Sequence, residues 1–198
     1  LKPKKGWFNL PVIISARNQH LRMGNKFILV GKGFTINPRS PLRQTWLFAC
    51  EETIELIGPK CDIKRIRVLV PERAETQVEL ALSDARRIGL NPPVRSSGDI
   101  KGSPGSILRG PKGEVKINQG VIIADRHLHI TPEDASEFGF KNGEVLQAEI
   151  EGDKGGVMRN ITVRVSDQYE LDLHVDTDDA NAFMLMQGQK VFVKKTTE

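Results

Sequence analysis

Residues 121–130 read VIIADRHLHI, and the interpretation of the whole chain starts from this stretch. Two short aliphatic runs flank the Asp125-Arg126 pair, which is typical of two consecutive short strands. Successive side chains of a strand point to opposite faces, so His127 and His129 are expected on one face. Two imidazoles on one face, joined by a third, give the three-ligand pattern of a catalytic zinc site with one open position.

All four histidines lie in three short, strand-like motifs. His20 lies in SARNQHL (residues 15–21), and His174 lies in LHVDTD (residues 173–178). An alternative stays open: taken singly, each of these residues is expected to be a surface histidine or a hydrogen-bonded core histidine. The concentration of all four in such motifs favours a metal site.

A weak internal repeat relates two of these motifs. Residues 14–21 (ISARNQHL) resemble residues 123–130 (IADRHLHI), with the arginine and the second histidine in register. If the fold has two related halves, these segments are equivalent strands that face a shared cleft. In this register Asn18 occupies the position where a first histidine is expected.

Composition limits the classes of function. The 198 residues suffice for one sizeable domain or two small ones, and 38% hydrophobic with 27% charged residues is ordinary for a soluble globular protein. No apolar run approaches the roughly 20 residues that cross a bilayer, so no membrane is expected. A net charge of +4 with 6% aromatic residues does not favour binding of a polynucleotide. A small polyanionic ligand suits this chain better.

The cysteines and the first residues of the chain indicate the cellular compartment in which the protein is expected. Cys50 and Cys61 do not form a disulfide scaffold, which fits a reducing interior of bacterial type. Residues 1–6 lack the apolar core of a signal peptide and an initiator methionine, and we expect that the natural N-terminus has been trimmed.

Short β-rich runs separated by Gly, Pro, Asn and Asp predict a barrel or a sandwich. Strands are predicted at residues 12–16, 26–30, 53–57, 63–70, 77–82, 114–117, 121–124, 127–130, 145–150, 161–165 and 170–175. Three short helices are predicted directly after Ser83, Thr131 and Thr177, because each can cap a helix N-terminus. Gly89 and Gly139 are predicted to end the first two.

Residues 96–105 form a Gly- and Ser-rich segment without the Gly-Lys-Ser/Thr ending of a phosphate-binding P-loop. Both a plain connecting loop and a phosphate-contacting loop remain open. Cys50 and Ser97 are the only candidates for a protein nucleophile, and neither has a histidine beside it in the sequence. No protein nucleophile is therefore obvious from the sequence.

These motifs, in this order, resemble the PduL-type phosphate propanoyltransferases, the phosphotransacylases of bacterial microcompartments. The resemblance extends through nearly the whole chain. It is carried by residues 11–21, 57–60, 67–73, 76–79, 84–86, 93–100, 110–113, 126–130, 164–167 and 174–182.

The resemblance implies a mainly β fold of two similar small β-barrels capped by short α-helices, with the N-terminal strand completing the C-terminal barrel. The first, discontinuous barrel is expected at residues 7–16 plus 125–194 and the second at residues 17–124, with the active site at their interface. The implied reaction transfers a short acyl group, propanoyl or acetyl, between coenzyme A and inorganic phosphate.

The resemblance also implies site residues. One metal ion, usually zinc, is expected on His127, His129 and His174, and a second on His20 and Glu79. Arg73 and Arg164, with Ser97 nearby, are expected to bind phosphate; the alternative for the arginines is a salt bridge to Glu72, Asp99 or Asp167. Contacts to coenzyme A are expected near Ser15, Arg67, Leu69, His174 and Asn181.

The first motif departs from the family pattern, which has histidine at position 18, asparagine at 16 and usually serine at 22. Here Asn18 offers only a neutral carbonyl oxygen, a poor replacement for imidazole at a borderline-soft ion. We therefore expect zinc at the three-histidine site and a weakened second site.

The function expected is a zinc-dependent phosphotransacylase of propanediol-degrading microcompartments or of the cytoplasm. The expected partners are acyl-coenzyme A and phosphate. A homo-oligomer and binding to microcompartment shell or cargo proteins stay open. Two alternatives stay open: a catalytically weakened zinc- and coenzyme A-binding paralogue, and a zinc thioester hydrolase in which water replaces phosphate.

Overall fold

The computed structural model describes residues 6–32, 38–41 and 48–196, and this part of the chain is mainly β. Its strands are β1 (Phe8–Ser15), β2 (Asn18–Arg22), β3 (Pro38–Pro41), β4 (Phe48–Ile57), β5 (Asp62–Arg73), β6 (Gln77–Glu79), β7 (Val94–Arg95), β8 (Ser106–Arg109), β9 (Glu114–Ile117), β10 (Val121–Ala124), β11 (His127–Ile130), β12 (Val145–Ile150), β13 (Gly156–Val165), β14 (Asp172–Asp176) and β15 (Lys190–Lys195). Its helices are α1 (Met23–Val30), α2 (Leu82–Ile88), α3 (Pro132–Phe138) and α4 (Thr177–Phe183).

The chain divides into two compact units. One, the barrel unit, comprises Leu1–Ser15 and Asp125–Glu198, and the other, the curled-sheet unit, comprises Ala16–Ala124. Each unit has its own apolar core.

The barrel unit is a closed barrel of six strands in the order β1-β14-β11-β13-β12-β15. Strand β1 closes it, because it pairs in parallel with β14 on one side and antiparallel with β15 on the other. The prediction that the N-terminal strand completes the C-terminal barrel is confirmed. The barrel core holds buried side chains from every strand, among them Leu10, Val12, Leu128, Ile130, Leu146, Val163, Leu173, Val175 and Val193.

Of the two short helices in the barrel unit, α3 begins at its predicted capping residue and α4 does not. The Thr131 side chain accepts a hydrogen bond from the Asp134 amide at the start of α3, and Gly139 ends this helix in the left-handed conformation (φ 68°). At α4 the cap is Asp176 rather than the predicted Thr177, because the Asp176 carboxylate accepts from the Asp179 amide. A carboxylate there also interacts favourably with the helix dipole.

The curled-sheet unit contains one sheet in the order β7-β10-β6-β2-β5-β4-β8-β9, with β3 paired to β4. Within the described residues this sheet curls into a half-barrel, whereas the resemblance implied a second small barrel. Strands β2 and β6 lie side by side in its middle, antiparallel, with Asn18 opposite Glu79 and His20 opposite Gln77.

The predicted strand at residues 26–30 is wrong, since helix α1 covers it. The four consecutive apolar residues that end α1 fit a strand or a helix equally well, because a short apolar run has no distinguishing period. Only Leu29 and Val30 of this helix are buried. Strands β2, β3, β7, β8 and β15 were also not predicted; β2 is mostly polar, and β3, β7 and β8 span only two to four residues.

Within the described residues, no helix is both long and apolar enough to span a membrane.

Removing a core side chain of the closing strand should destabilise the barrel. Leu10 on β1 is 2% exposed and lies opposite Val191 of β15. We expect Leu10→Ala to lower the free energy of unfolding by about 2–5 kcal/mol, because the truncated side chain leaves a cavity. Urea unfolding followed by circular dichroism measures the change. The control Val157→Ala, at a 49% exposed position of the same barrel, should stay within about 0.5 kcal/mol of the parent; equal losses in the two variants would contradict the closing role of β1.

Candidate functional site

Three histidines meet on the face of the barrel strands that points away from the barrel core. His127 and His129 alternate with Leu128 and Ile130 on β11, and the two aliphatic side chains point into the core. His174 on β14 lies directly opposite His127 in the antiparallel pairing. This register brings the nitrogen atoms of the three rings within 4.8 Å of one another. The predicted convergence of the three imidazoles is therefore confirmed.

The ring orientations are held by neighbouring groups in the barrel unit. His127 Nδ1 donates to the Asp125 carbonyl oxygen at 2.8 Å, which leaves Nε2 to offer its lone pair. His174 Nδ1 lies 3.5 Å from the Ser15 hydroxyl, and the His129 ring stacks on Tyr169 with centroids 4.0 Å apart. Such contacts orient metal-binding imidazoles.

Two of the three rings, those of His127 and His129, are held neutral at physiological pH. Burial, reinforced by the positive charge of Arg164, lowers the pKa of His127 to about 3. Burial and the neighbouring histidines also lower the pKa of His129. Neutral imidazole is the form that binds a metal, and three imidazoles with one open position fit a catalytic zinc. The donor set therefore fits the predicted metal.

Arg164 lies beside this histidine cluster. It stands opposite His129 in the parallel pairing of β13 with β11, and its guanidinium forms an ion pair with the Asp125 carboxylate. The sequence offered a salt bridge to Glu72, Asp99 or Asp167 as the alternative for the two arginines, and the structure pairs Arg164 with Asp125 instead. The guanidinium has five N–H donors, so this pairing leaves donors for an anion.

A second polar cluster lies in the curled-sheet unit, around Glu79. Asn18 Nδ2 donates to Glu79 Oε2 at 3.1 Å, and Gln77 Nε2 and the Ser97 hydroxyl donate to Oε1 at 2.7 and 2.8 Å. His20 lies on the same strand face as Asn18, with Nδ1 3.4 Å from the Pro71 carbonyl oxygen. Burial, followed by the charge of nearby Arg73, lowers the pKa of His20 to about 4.

Ser97 joins Arg73 to Glu79. Its hydroxyl accepts from Arg73 Nη1 at 2.9 Å while it donates to the carboxylate. The predicted neighbourhood of Arg73 and Ser97 is thus present in this unit. Cys50, the other candidate nucleophile, is buried, and burial raises the pKa of its thiol to about 11, which disfavours the reactive thiolate.

The residues predicted to contact coenzyme A are distributed over both units. Ser15 ends β1 beside His174, and Asn181 is exposed on α4. On β5, Arg67 donates to the Cys50 carbonyl oxygen and Leu69 packs against Ala49. Their role toward coenzyme A stays a prediction.

Three site residues were not singled out from the sequence. Asp125 stands two residues before His127, Tyr169 is the only tyrosine, and Gln77 stands two residues before Glu79. Only Gln77 could have been found from the sequence, because it stands two residues before Glu79 on the same strand and therefore shares its face. Asp125 and Tyr169 act through contacts that no spacing in the sequence indicates.

Comparison with known proteins gives consistent matches over most of the chain. Residues 11–186 match the family model described as phosphate propanoyltransferase. The chain is 40% identical over 185 residues to a phosphate propanoyltransferase of Thermotoga maritima, with 92% of this chain and 88% of the relative aligned. It is 42% identical over 183 residues to one of Shewanella putrefaciens (92% and 86% aligned) and 37% identical over 174 residues to one of Salmonella typhimurium (87% and 83% aligned).

Metal-free protein should lose stability on acidification. The pKa values of His20 and His127 in the folded chain lie below their ordinary value of 6.5, so below pH 6.5 the unfolded chain binds protons that the folded chain does not. The stabilisation is complete above pH 6.5 and is lost as the pH falls toward about 4. We expect a loss of about 1–1.5 kcal/mol per histidine between pH 8 and pH 5.5, measured by urea unfolding after EDTA treatment. His127→Gln should show a shallower pH dependence; an unchanged slope would contradict this origin.

Removing the charge of Asp125 should destabilise the barrel unit without releasing the metal. Asp125→Asn deprives the half-buried Arg164 of its anionic partner, and we expect a loss of about 1–3 kcal/mol in the free energy of unfolding. Metal content should not change, because His127 is held by the backbone carbonyl of residue 125. The exposed Asp153→Asn is the matched control. Equal stability of the two variants, or loss of metal from the first, would contradict this assignment.

Proposed function

We propose, since the chain belongs to the phosphate propanoyltransferase family, that it transfers a short acyl group, propanoyl or acetyl, between coenzyme A and inorganic phosphate. In the forward direction a phosphate oxygen forms a bond to the thioester carbon and the carbon–sulfur bond breaks. The proton of hydrogen phosphate ends on the released thiol. The products are acyl phosphate and coenzyme A.

The single observation that carries the proposal is the three-histidine cluster with Arg164 on the next strand. His127, His129 and His174 supply three neutral nitrogen ligands, which favour zinc over cations that prefer oxygen. The chemistry that bound zinc supplies is polarisation of the thioester carbonyl and stabilisation of the leaving thiolate.

Arg73 and Arg164 are suited to binding phosphate, which is the nucleophile of the proposed reaction. A guanidinium binds phosphate oxygens through two parallel N–H groups, and this fixes the direction of the attacking oxygen. We assign this role to Arg164 in the barrel unit and to Arg73 in the curled-sheet unit. Arg164 stays fixed by Asp125, and Arg73 stays fixed by Ser97.

The chain needs no nucleophile or strong base of its own. Phosphate is already partly ionised at neutral pH, and the histidines near the site have pKa values far too low for proton abstraction at that pH. Ser97 already donates its proton to Glu79, so we assign it to the orientation of Arg73 and not to covalent catalysis. We assign Ser15 and His174 to the thioester end of coenzyme A, because the Ser15 hydroxyl lies 3.5 Å from Nδ1 of the proposed metal ligand His174.

A bacterial microcompartment or the cytoplasm is the proposed location, with acyl-coenzyme A and phosphate as substrates. Association with shell or cargo proteins, or with further copies of the chain, is part of the same proposal and rests on the family resemblance.

An assay with propanoyl-coenzyme A separates the transferase from its alternatives. Thiol release is followed with and without phosphate. Release that requires phosphate supports acyl transfer, and release without phosphate supports the zinc thioester hydrolase. No release under either condition supports the weakened paralogue. Acetyl-coenzyme A in the same assay gives the acyl preference.

The variant His127→Ala tests the metal site. We expect bound zinc to fall well below that of the parent and acyl transfer to be abolished, because one of three ligands is removed. Thr162→Ala, which alters the residue opposite His127 on β13, is the matched control and should keep its zinc. Full activity of His127→Ala with unchanged zinc, measured by elemental analysis, would refute the proposal.

A further inference from the structure

Both carboxylate oxygens of Glu79 are satisfied by hydrogen-bond donors of the chain. Three neutral donors, from Asn18, Gln77 and Ser97, approach its two carboxylate oxygens at 2.7–3.1 Å. Together with the nearby Arg73 guanidinium, these donors occupy the positions on the carboxylate that a cation would otherwise take. The charge of Glu79 therefore needs no metal ion.

The orientation of the Asn18 amide gives independent support. Its nitrogen donates to the Glu79 carboxylate and, at 3.3 Å, to the Ala16 carbonyl oxygen. Both partners can only accept, so a rotated amide would place its oxygen against two other oxygens. That arrangement is repulsive unless a cation lies between them. The observed orientation is the one that a cation-free cluster favours.

The charges of the cluster are also balanced internally. Glu79 contributes the negative charge and Arg73 the positive charge, and the Ser97 hydroxyl connects them. A divalent cation on Glu79 and His20 would stand close to the Arg73 guanidinium and be repelled by it.

The same contacts form a chain that ends at Arg73. Because the single hydroxyl proton of Ser97 goes to Glu79, its lone pairs accept from Arg73 Nη1 and from Gln77 Nε2, each at 2.9 Å. Gln77 Oε1 accepts from the Gly98 amide at 2.7 Å and so holds the loop that carries Ser97. Gln77 is almost completely buried, which restricts its side chain to this arrangement.

We propose that the Glu79 cluster binds no metal in this chain and that Glu79 is a positioning residue, which holds Ser97 and through it the anion-binding Arg73. The chain then binds one zinc ion, at the three histidines. The metal count stands independently of the reaction, whereas the role of Arg73 toward phosphate rests on the proposed function.

Zinc stoichiometry of the full chain tests the first part. The parent, Glu79→Gln, Asn18→His and His127→Ala are dialysed against zinc, freed of excess metal and subjected to elemental analysis. We expect one zinc per chain in the parent and in Glu79→Gln, a second in Asn18→His, and a large loss in His127→Ala. Two zinc ions in the parent, or loss of zinc from Glu79→Gln, would overturn the proposal. No gain in Asn18→His would overturn the assignment of Asn18 as the residue that excludes the metal. Unchanged zinc in His127→Ala would instead count against the proposed function.

Phosphate binding and kinetics test the second part. Inorganic phosphate should raise the melting temperature of the parent, and in Glu79→Gln this increase should be smaller. In the transfer assay the KM for phosphate should rise about tenfold in Glu79→Gln, with a much smaller change in kcat, at unchanged zinc content. Glu75→Gln, at an exposed position four residues earlier, is the matched control. Equal phosphate-dependent shifts and equal KM values in the two variants would overturn the positioning role.

Discussion

The pairing of β11 with β14 is the constraint on which the candidate site depends. It sets His127 opposite His174 on one face and Leu128 opposite Leu173 on the other. A shift of one residue would exchange these faces and turn imidazoles into the apolar core. The core packing of the leucines therefore fixes the register, and the register brings the three histidines together. The packing that stabilises the barrel therefore also assembles the three-histidine cluster.

The two polar clusters achieve charge balance in different ways. In the barrel unit, burial keeps the imidazoles neutral, and the Asp125 carboxylate compensates Arg164. The neutral histidines therefore offer free electron pairs on their ring nitrogens, which a metal ion can bind. In the curled-sheet unit, a carboxylate and a guanidinium, Glu79 and Arg73, compensate each other through a hydroxyl group. This cluster fixes the position of the Arg73 side chain, which can then bind an anion.

Several elements could be predicted from local sequence, and their success has a common reason. Strands β10 and β11 and helix α3 begin and end where alternation, capping and Gly139 predict. The residues that predict each of these elements lie within a few positions of one another in the sequence. Helix α1 was predicted as a strand because its apolar run lacks a period, and β2 was missed because its inward residues are polar. The mainly β class followed from the short β-rich runs and from the resemblance, the closing role of β1 followed from the resemblance alone, and both are confirmed.

The sequence by itself determined which side chains are available: four histidines in strand-like motifs, spaced so that His127 and His129 share a face, and an asparagine at position 18. These follow from the period of a strand, which is a local property. Only the tertiary structure decided what surrounds them. The approach of His174 to β11, the pairing of Arg164 with Asp125 and the hydrogen bonds from Asn18 and Ser97 to Glu79 join residues that lie 18 to 61 positions apart. Strand order and register set such contacts, and no spacing along the chain encodes them.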